Sequence, residues 1–159
     1  MISFSVAFDE NKGIGLNNML PWHIKEDLKL FKQNTIYKTI IMGRTTYEGL
    51  PNKLKDREIV VVTRNKDYQT VDAIVVNDID EFLNKHKDDE KEYVVCGGSK
   101  IYEQCDKYAS KAYVSFVKGS PEVDTYFNNF DMNDWNIDFE EEYNDFIYRE
   151  LTRKWLKSN

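Results

Sequence analysis

At 159 residues the chain suits one domain able to bury about 70% of the surface that its unfolded form exposes, enough for a packed core and an enclosed cleft. A composition of 41% hydrophobic and 31% charged residues argues against disorder, no run approaches the roughly 18 apolar residues of a membrane span, and a net charge of −6 disfavours nonspecific nucleic-acid binding. The two cysteines, Cys96 and Cys105, form no CxxC pair and read as reduced cytosolic thiols, while two histidines, His23 and His86, are too few for a histidine-based metal site.

The first element is the apolar run Ile2 to Phe8, a strand rather than a secretory leader because it has no basic head and meets an acid at Asp9. Helix-like segments then alternate with short runs rich in β-branched residues. Helices are predicted over Ile24 to Thr35, Thr45 to Leu50, Ile79 to His86 and Lys100 to Tyr108, the third with Asp78 as N-cap. Strands are predicted at Thr39 to Met42, Ile59 to Thr63, Ala73 to Val76, Tyr93 to Cys96 and Ala112 to Val117. This alternation implies right-handed crossovers and a parallel sheet. Trp135 to Phe139 and Phe146 to Leu151, joined by the turn-prone Asn144-Asp145, form an antiparallel hairpin. The expected fold is α/β: an eight-stranded, mostly parallel sheet with an antiparallel C-terminal strand, flanked by four helices. No linker or repeat divides the chain, so residues 1–159 read as a single domain, and the charged stretch Lys85 to Glu92 reads as a solvated loop.

Asp27 is the anomalous residue. It shares a helix face with Leu28 and Phe31, and the places three and four residues on hold Leu30 and Phe31 rather than Lys25, Lys29 or Lys32. A carboxylate so placed requires a cationic or amidine-like partner, or else it is a first-turn acid that interacts with the helix dipole alongside Glu26. Two strand-to-helix turns, Ile40-Ile-Met-Gly-Arg-Thr-Thr46 and Val94-Val-Cys-Gly-Gly-Ser-Lys100, share one design: a glycine, a helix start and a nearby cation. Together they suggest a pyrophosphate spanning both. Neither is a GxGxxG or a P-loop. Arg44, Thr63 and Arg64 beyond strand ends add anion donors of the kind that mark a ribose 2′-phosphate, and so NADP over NAD.

Leu20-Pro21-Trp22, Asp27, Phe31, Met42-Gly-Arg-Thr-Thr46, Arg57, Gly97-Gly98 and Asp124-Thr-Tyr-Phe127, in this order and spacing, resemble the single-domain, bacterial-type dihydrofolate reductases over essentially the whole length. The resemblance implies NADPH-dependent reduction of 7,8-dihydrofolate to tetrahydrofolate, with hydride going to pterin C6 and a proton to N5, in support of one-carbon metabolism and thymidylate synthesis. It implies dihydrofolate and antifolates as small-molecule partners, a cytoplasmic monomer, no nucleic acid and no membrane. An adenosine-binding subdomain is implied over roughly 38–90.

By the same resemblance Asp27 accepts the two-donor pterin edge, Ser115 supports it, and Leu20 and Trp22 control the water that protonates N5. Ser5, Val6, Ala7, Leu28, Phe31, Lys32, Leu50, Leu54 and Cys96 line the substrate, with Arg57 forking onto the glutamate α-carboxylate. Ala7, Ile14, Gly15, Leu16, Asn18 and Leu20 lie by the nicotinamide. Gly43, Thr45, Thr46, Cys96, Gly97, Gly98, Ser99, Lys100, Ile101, Tyr102 and Thr125 form the rest of the cofactor site, with Arg44, Thr63 and Arg64 at the 2′-phosphate. The Gly97-Gly98 bond is implied to be cis, and residues 9–24 are implied to form a loop that closes over the nicotinamide. Departures from the family pattern are Ser5 and Cys96 where larger groups are usual, and Gly49 where serine is common. Two rivals stand at this point: a pyrimidine or ribityl reductase on the same scaffold, which needs neither Asp27 nor Arg57, and a non-catalytic nucleotide-binding protein.

Overall fold

Strand β1 (Ile2–Phe8) lies inside the sheet and sets the pattern for the rest. Its even-numbered residues Ile2, Phe4, Val6 and Phe8 are all buried, as alternation predicts for one face of a strand. The computed structural model describes residues 1–15, 24–50, 54–119, 123, 125–127 and 130–157. After β1 come β2 (Gly13–Gly15), α1 (Lys25–Thr35), β3 (Thr39–Gly43), α2 (Arg44–Glu48), β4 (Glu58–Val62), β5 (Ile74–Val76) and α3 (Ile79–His86). Then follow β6 (Tyr93–Val95), α4 (Ser99–Cys105), β7 (Lys111–Val117), β8 (Thr125–Tyr126), β9 (Trp135–Glu142) and β10 (Phe146–Arg153).

Eight strands form one sheet in the order β5-β4-β3-β6-β1-β7-β10-β9, and β2 pairs separately with β8. Every pairing from β5 to β7 is parallel, while β10 runs antiparallel to both β7 and β9. The chain moves one way from β1 to β3, β4 and β5, then returns to insert β6 between β3 and β1 before passing to β7. That reversal creates a switch point, where open α/β sheets bind ligands at the carboxyl ends of their strands. Right-handed crossovers put α1 and α2 on one face and α3 and α4 on the other. The packing agrees: Ile79 and Leu83 of α3 and Ile101, Tyr102 and Cys105 of α4 share a core with Ile2, Phe4, Val6 and Phe8. Among the described residues no helix is long and apolar enough to cross a membrane.

The predicted elements are present, with shifts that have local causes. Asp78 caps α3 by accepting from the Glu81 amide at 3.1 Å. The segment predicted as one helix from Lys100 to Tyr108 tightens after Cys105 into a 3-10 turn, Asp106–Tyr108, where the chain must bend toward β7. The β2–β8 pair was not foreseen, since segments of three and two residues leave no periodic signal. Its entry is shaped by buried Asp9, whose Oδ1 accepts from the Asn11 and Gly13 amides, both at 2.8 Å.

The C-terminal strand is locked by buried Arg153. Its Nε donates to the Ala109 carbonyl at 3.1 Å, one terminal nitrogen donates to the Asp106 carbonyl and carboxylate at 2.6 and 2.9 Å, and its Cζ lies 4.1 Å from the Trp135 ring centroid. Bonds from charged groups of this kind are worth about 1.5–3 kcal/mol each, against at most about 1 kcal/mol for an exposed pair such as Arg149–Glu140. Arg153→Met should therefore lower the unfolding free energy by about 2–4 kcal/mol in urea denaturation, and Arg149→Met should lower it far less. Equal losses in the two variants would contradict this assignment.

Candidate active site

A trough follows from the second face of β1. Its odd-numbered residues are Ser3, Ser5 and Ala7, so the central strand presents only small side chains toward α1. Ala7, like Ile24 and Leu30 of the α1 side, packs against the cluster formed by Tyr113 and Val117 of β7 with Phe146 and Tyr148 of β10. On the neighbouring strands Cys96 follows β6, and Tyr113 and Ser115 lie in register with Ser5 and Ala7. One wall is built on Ile40, Met42, Ile59 and Val61, with Leu50, Leu54 and Cys96 packed against them. The other wall is α1, on which Phe31 is half-buried and Leu28 exposed. The face that carries Asp27 is thus half-open, not sealed into a core as its apolar neighbours suggested. Val6 points its side chain into the opposite core, leaving only its backbone to the trough.

Two contacts fix α1 over the sheet. The Ser115 hydroxyl donates to Asp27 Oδ1 at 2.6 Å, joining residues 88 apart in sequence. At the far end the buried Asn34 amide donates to the Tyr148 hydroxyl at 2.9 Å, and that hydroxyl donates to Glu150 at 2.8 Å. The same helix end positions Arg57. Thr35 Oγ1 donates to the Phe31 carbonyl at 2.7 Å and accepts from Arg57 at 3.1 Å, while Arg57 Nε donates to the Lys55 carbonyl at 2.9 Å. Asp27 and Thr35 are eight residues apart on α1, about 12 Å at the helical rise. The trough therefore has a carboxylate near one end and a guanidinium near the other. Lys32 is exposed on the outer side of the helix.

The two glycine turns lie side by side because β3 and β6 are neighbours, and the Gly43 amide donates to the Gly97 carbonyl at 2.9 Å. Gly97-Gly98 is cis, as the resemblance implied, and Gly97 has φ +117°, a conformation that L side chains rarely adopt. A β-carbon on Gly43 would come within 3.1 Å of the Ile101 side chain, so α4 packs tightly on this turn. The Thr46 hydroxyl lies against both Gly97 and Gly98. Thr45 and Lys100 are exposed beside them. Ser99 Oγ donates to the Tyr126 carbonyl at 2.6 Å, which ties the start of α4 to β8 and so to Ile14 and Gly15 in β2. The Tyr102 hydroxyl donates to the Ser5 carbonyl at 2.7 Å, and burial, with Cys96 and Asp27 adding to it, raises this phenol well above its ordinary range.

At the outer corner Arg44 and Thr63 each stand one residue past paired strand ends, Gly43 being in register with Val62. Thr63 Oγ1 accepts from the Asn65 amide at 3.2 Å, and Asn77 donates to the Thr63 carbonyl at 2.8 Å. Arg64 is exposed. The residues not foreseen here are Tyr68 and Glu48, which both meet Arg44. Glu48 was legible as an i,i+4 partner, and Tyr68 as the lone aromatic in a polar loop. Leu16, Asn18, Leu20, Trp22 and Asp124 lie outside the described residues, and of Thr125 only the backbone in β8 is described.

The family profile described as dihydrofolate reductase matches residues 1–152. The chain is 37% identical to dihydrofolate reductase of Buchnera aphidicola subsp. Baizongia pistaciae over 140 residues, 87% of this chain and 84% of that one. It is 36% identical to the Bacillus subtilis enzyme of the same name over 137 residues, 86% and 81% of the two chains. A solved structure of dihydrofolate reductase from Enterococcus faecalis, complexed with NADP(H) and RAB-propyl, superposes with a TM-score of 0.88 at 30% identity, covering 97% of this chain and 96% of that one.

Burial holds the thiols in and behind the trough in their protonated, weakly nucleophilic form. Burial pushes Cys96 far above the ordinary thiol range, with Arg57 only partly opposing it, and burial with Asp80 pushes Cys105 up to about 12. Iodoacetamide at neutral pH should therefore label both cysteines far more slowly in the native protein than in the urea-unfolded chain, as read by mass spectrometry. Labelling of native Cys96 at the unfolded rate would contradict this.

Proposed function

The chain belongs to the dihydrofolate reductase family, and from that premise we propose how its trough and turns divide the work. The reaction is the NADPH-dependent reduction of 7,8-dihydrofolate to 5,6,7,8-tetrahydrofolate. The observation that carries the assignment of roles is the placement of Asp27 and Arg57 at opposite ends of α1: Asp27 lies in its first turn, and Arg57 donates to Thr35, eight residues and about 12 Å of helical rise further on. A pterin offers a donor edge, its 2-amino group and N3–H, at one end of the substrate, and the glutamate offers a carboxylate at the other. Asp27 accepts the donor edge in a parallel, charge-assisted pair. Arg57 forks onto the α-carboxylate, and the half-buried Phe31, Leu50 and Leu54 enclose the rings between them.

Ser115 donates to one oxygen of Asp27 and so fixes the plane in which the carboxylate meets the pterin. Asp27 holds the ring orientation and polarises it, while a water admitted beside Leu20 and Trp22 delivers the proton to N5. Small side chains at Ser5 and Ala7 leave the floor low enough for the pterin to lie against the sheet. NADPH, when bound, supplies the hydride to C6.

The residues present fit that cofactor. The two glycine turns, with Gly97 at φ +117° and Thr45, Thr46 and Gly98 to Ile101 around them, suit a pyrophosphate. Arg44, Thr63 and Arg64 suit the 2′-phosphate, Tyr102 closes the floor between the two ligands, and Ala7, Ile14 and Gly15 suit the nicotinamide. Residues roughly 38–90 form the adenosine-binding part of a single domain. The protein works as a cytoplasmic monomer, free of membrane and nucleic acid.

Asp27→Asn should fold and bind NADPH, yet lose at least about a hundredfold in turnover of dihydrofolate at neutral pH, the usual cost of removing one preorganised group that polarises the reacting centre. The deficit should narrow in acid, where substrate already protonated in solution bypasses the carboxylate. Loss of NADPH absorbance with dihydrofolate measures this, and near-normal neutral turnover in the variant would remove Asp27 from the mechanism.

A further inference from the structure

Arg44 opens α2, and three side chains there close a ring of contacts. Its Cζ lies 4.7 Å from the Tyr68 ring centroid, its Nε is 3.4 Å from Glu48 Oε1, and the Tyr68 hydroxyl donates to Glu48 Oε2 at 3.5 Å. Tyr68 is a fixed platform. Its ring packs against the cluster of Ile40, Met42, Ile59 and Val61, its amide donates to the Asn65 carbonyl at 3.2 Å, and nearby Thr70 meets the Tyr47 hydroxyl at 2.8 Å. A guanidinium stacked on such a ring loses rotational freedom but keeps N–H groups at its edge for an anion. Arg44 and Glu48 are both substantially exposed, at 43% and 51%, so an incoming anion competes with Glu48 for a solvated cation.

We propose that Tyr68 and Glu48 set the preference for the phosphorylated dinucleotide from opposite sides: Tyr68 orients Arg44 for the 2′-phosphate, and Glu48 competes with that phosphate for the same guanidinium. The inference rests on the placement of Arg44 at the 2′-phosphate. It adds two positioning residues whose substitutions shift affinity in opposite directions. A merely structural role for either would weaken phosphorylated and unphosphorylated nucleotides together.

The test is titration of the full chain with 2′,5′-ADP and with 5′-AMP by calorimetry, alongside KM for NADPH and for NADH. Tyr68→Leu should weaken 2′,5′-ADP by roughly two- to fivefold, the range of an exposed cation–π contact. Glu48→Gln should tighten it by roughly two- to fivefold, the range of an exposed ion pair. In both variants 5′-AMP affinity and KM for NADH stay in place, while KM for NADPH moves with 2′,5′-ADP. Tyr68→Phe, which keeps the ring and loses the hydroxyl, should retain affinity for 2′,5′-ADP; a loss equal to that of the leucine variant would overturn the platform role. Arg44→Gln should show the largest loss. If it weakens 2′,5′-ADP while Tyr68→Leu and Glu48→Gln leave it unchanged, or shift both nucleotides alike, the inference fails and the placement of Arg44 stands. If Arg44→Gln has no effect, both fail.

Discussion

The difference between the two faces of β1 is the constraint on which the site depends. One face carries Ile2, Phe4, Val6 and Phe8 into a core shared with α3 and α4, and that burial holds the strand in the middle of the sheet. The other face carries Ser3, Ser5 and Ala7, which are too short to fill the space beneath α1. Helix and sheet on this side meet through Ile24 and Leu30, packed against the Tyr113, Val117, Phe146 and Tyr148 cluster, and through two specific contacts, Ser115 to Asp27 at one end of α1 and Asn34 to Tyr148 at the other. A shallow floor framed by such contacts is a place for a flat ligand. Filling it with larger side chains would replace a cleft with a core.

The electrostatics follow the same geometry. The acid end of the trough is set by a hydrogen bond from β7 to α1, and the guanidinium end by Thr35, whose hydroxyl links Arg57 to the last turn of the helix. At the amino ends of the strands, where Arg57 also lies, Glu92 accepts from Ser3 at 2.8 Å and from Tyr113 at 2.9 Å, and it pairs with Lys38 at 3.0 Å. This partly buried network joins the starts of β1, β3, β6 and β7 and so helps hold these strands in register. Burial, with Glu92 adding to it, keeps the Tyr113 phenol protonated as a donor in that network.

Much of this was legible in the sequence because it rests on periodicity and punctuation. The strand from Ile2 to Phe8 and the helix from Ile79 to His86 have the expected bounds, and both glycine turns stand where the residues placed them. Asp27 drew attention by its apolar neighbours, although its face proved half-open. What the sequence hid depends on distance in space. Thr35 reads as an ordinary helix residue until Arg57 reaches it, and Tyr148 reads as a strand residue until Asn34 does. Tyr68 sits in a polar loop whose path decides whether it meets Arg44. The β2–β8 pair is too short for any pattern and exists through its pairing alone.

The central claim is that the trough reads its substrate at both ends, with Arg57 answering the glutamate carboxylate. A double-mutant cycle tests this most directly: calorimetric affinities of dihydrofolate and of dihydropteroate, which lacks the glutamate, for the native chain and for Arg57→Leu. The account predicts that the native chain prefers dihydrofolate and that the variant binds the two ligands equally, because removing the arginine or the glutamate removes the same interaction. An undiminished preference for dihydrofolate in Arg57→Leu would contradict it.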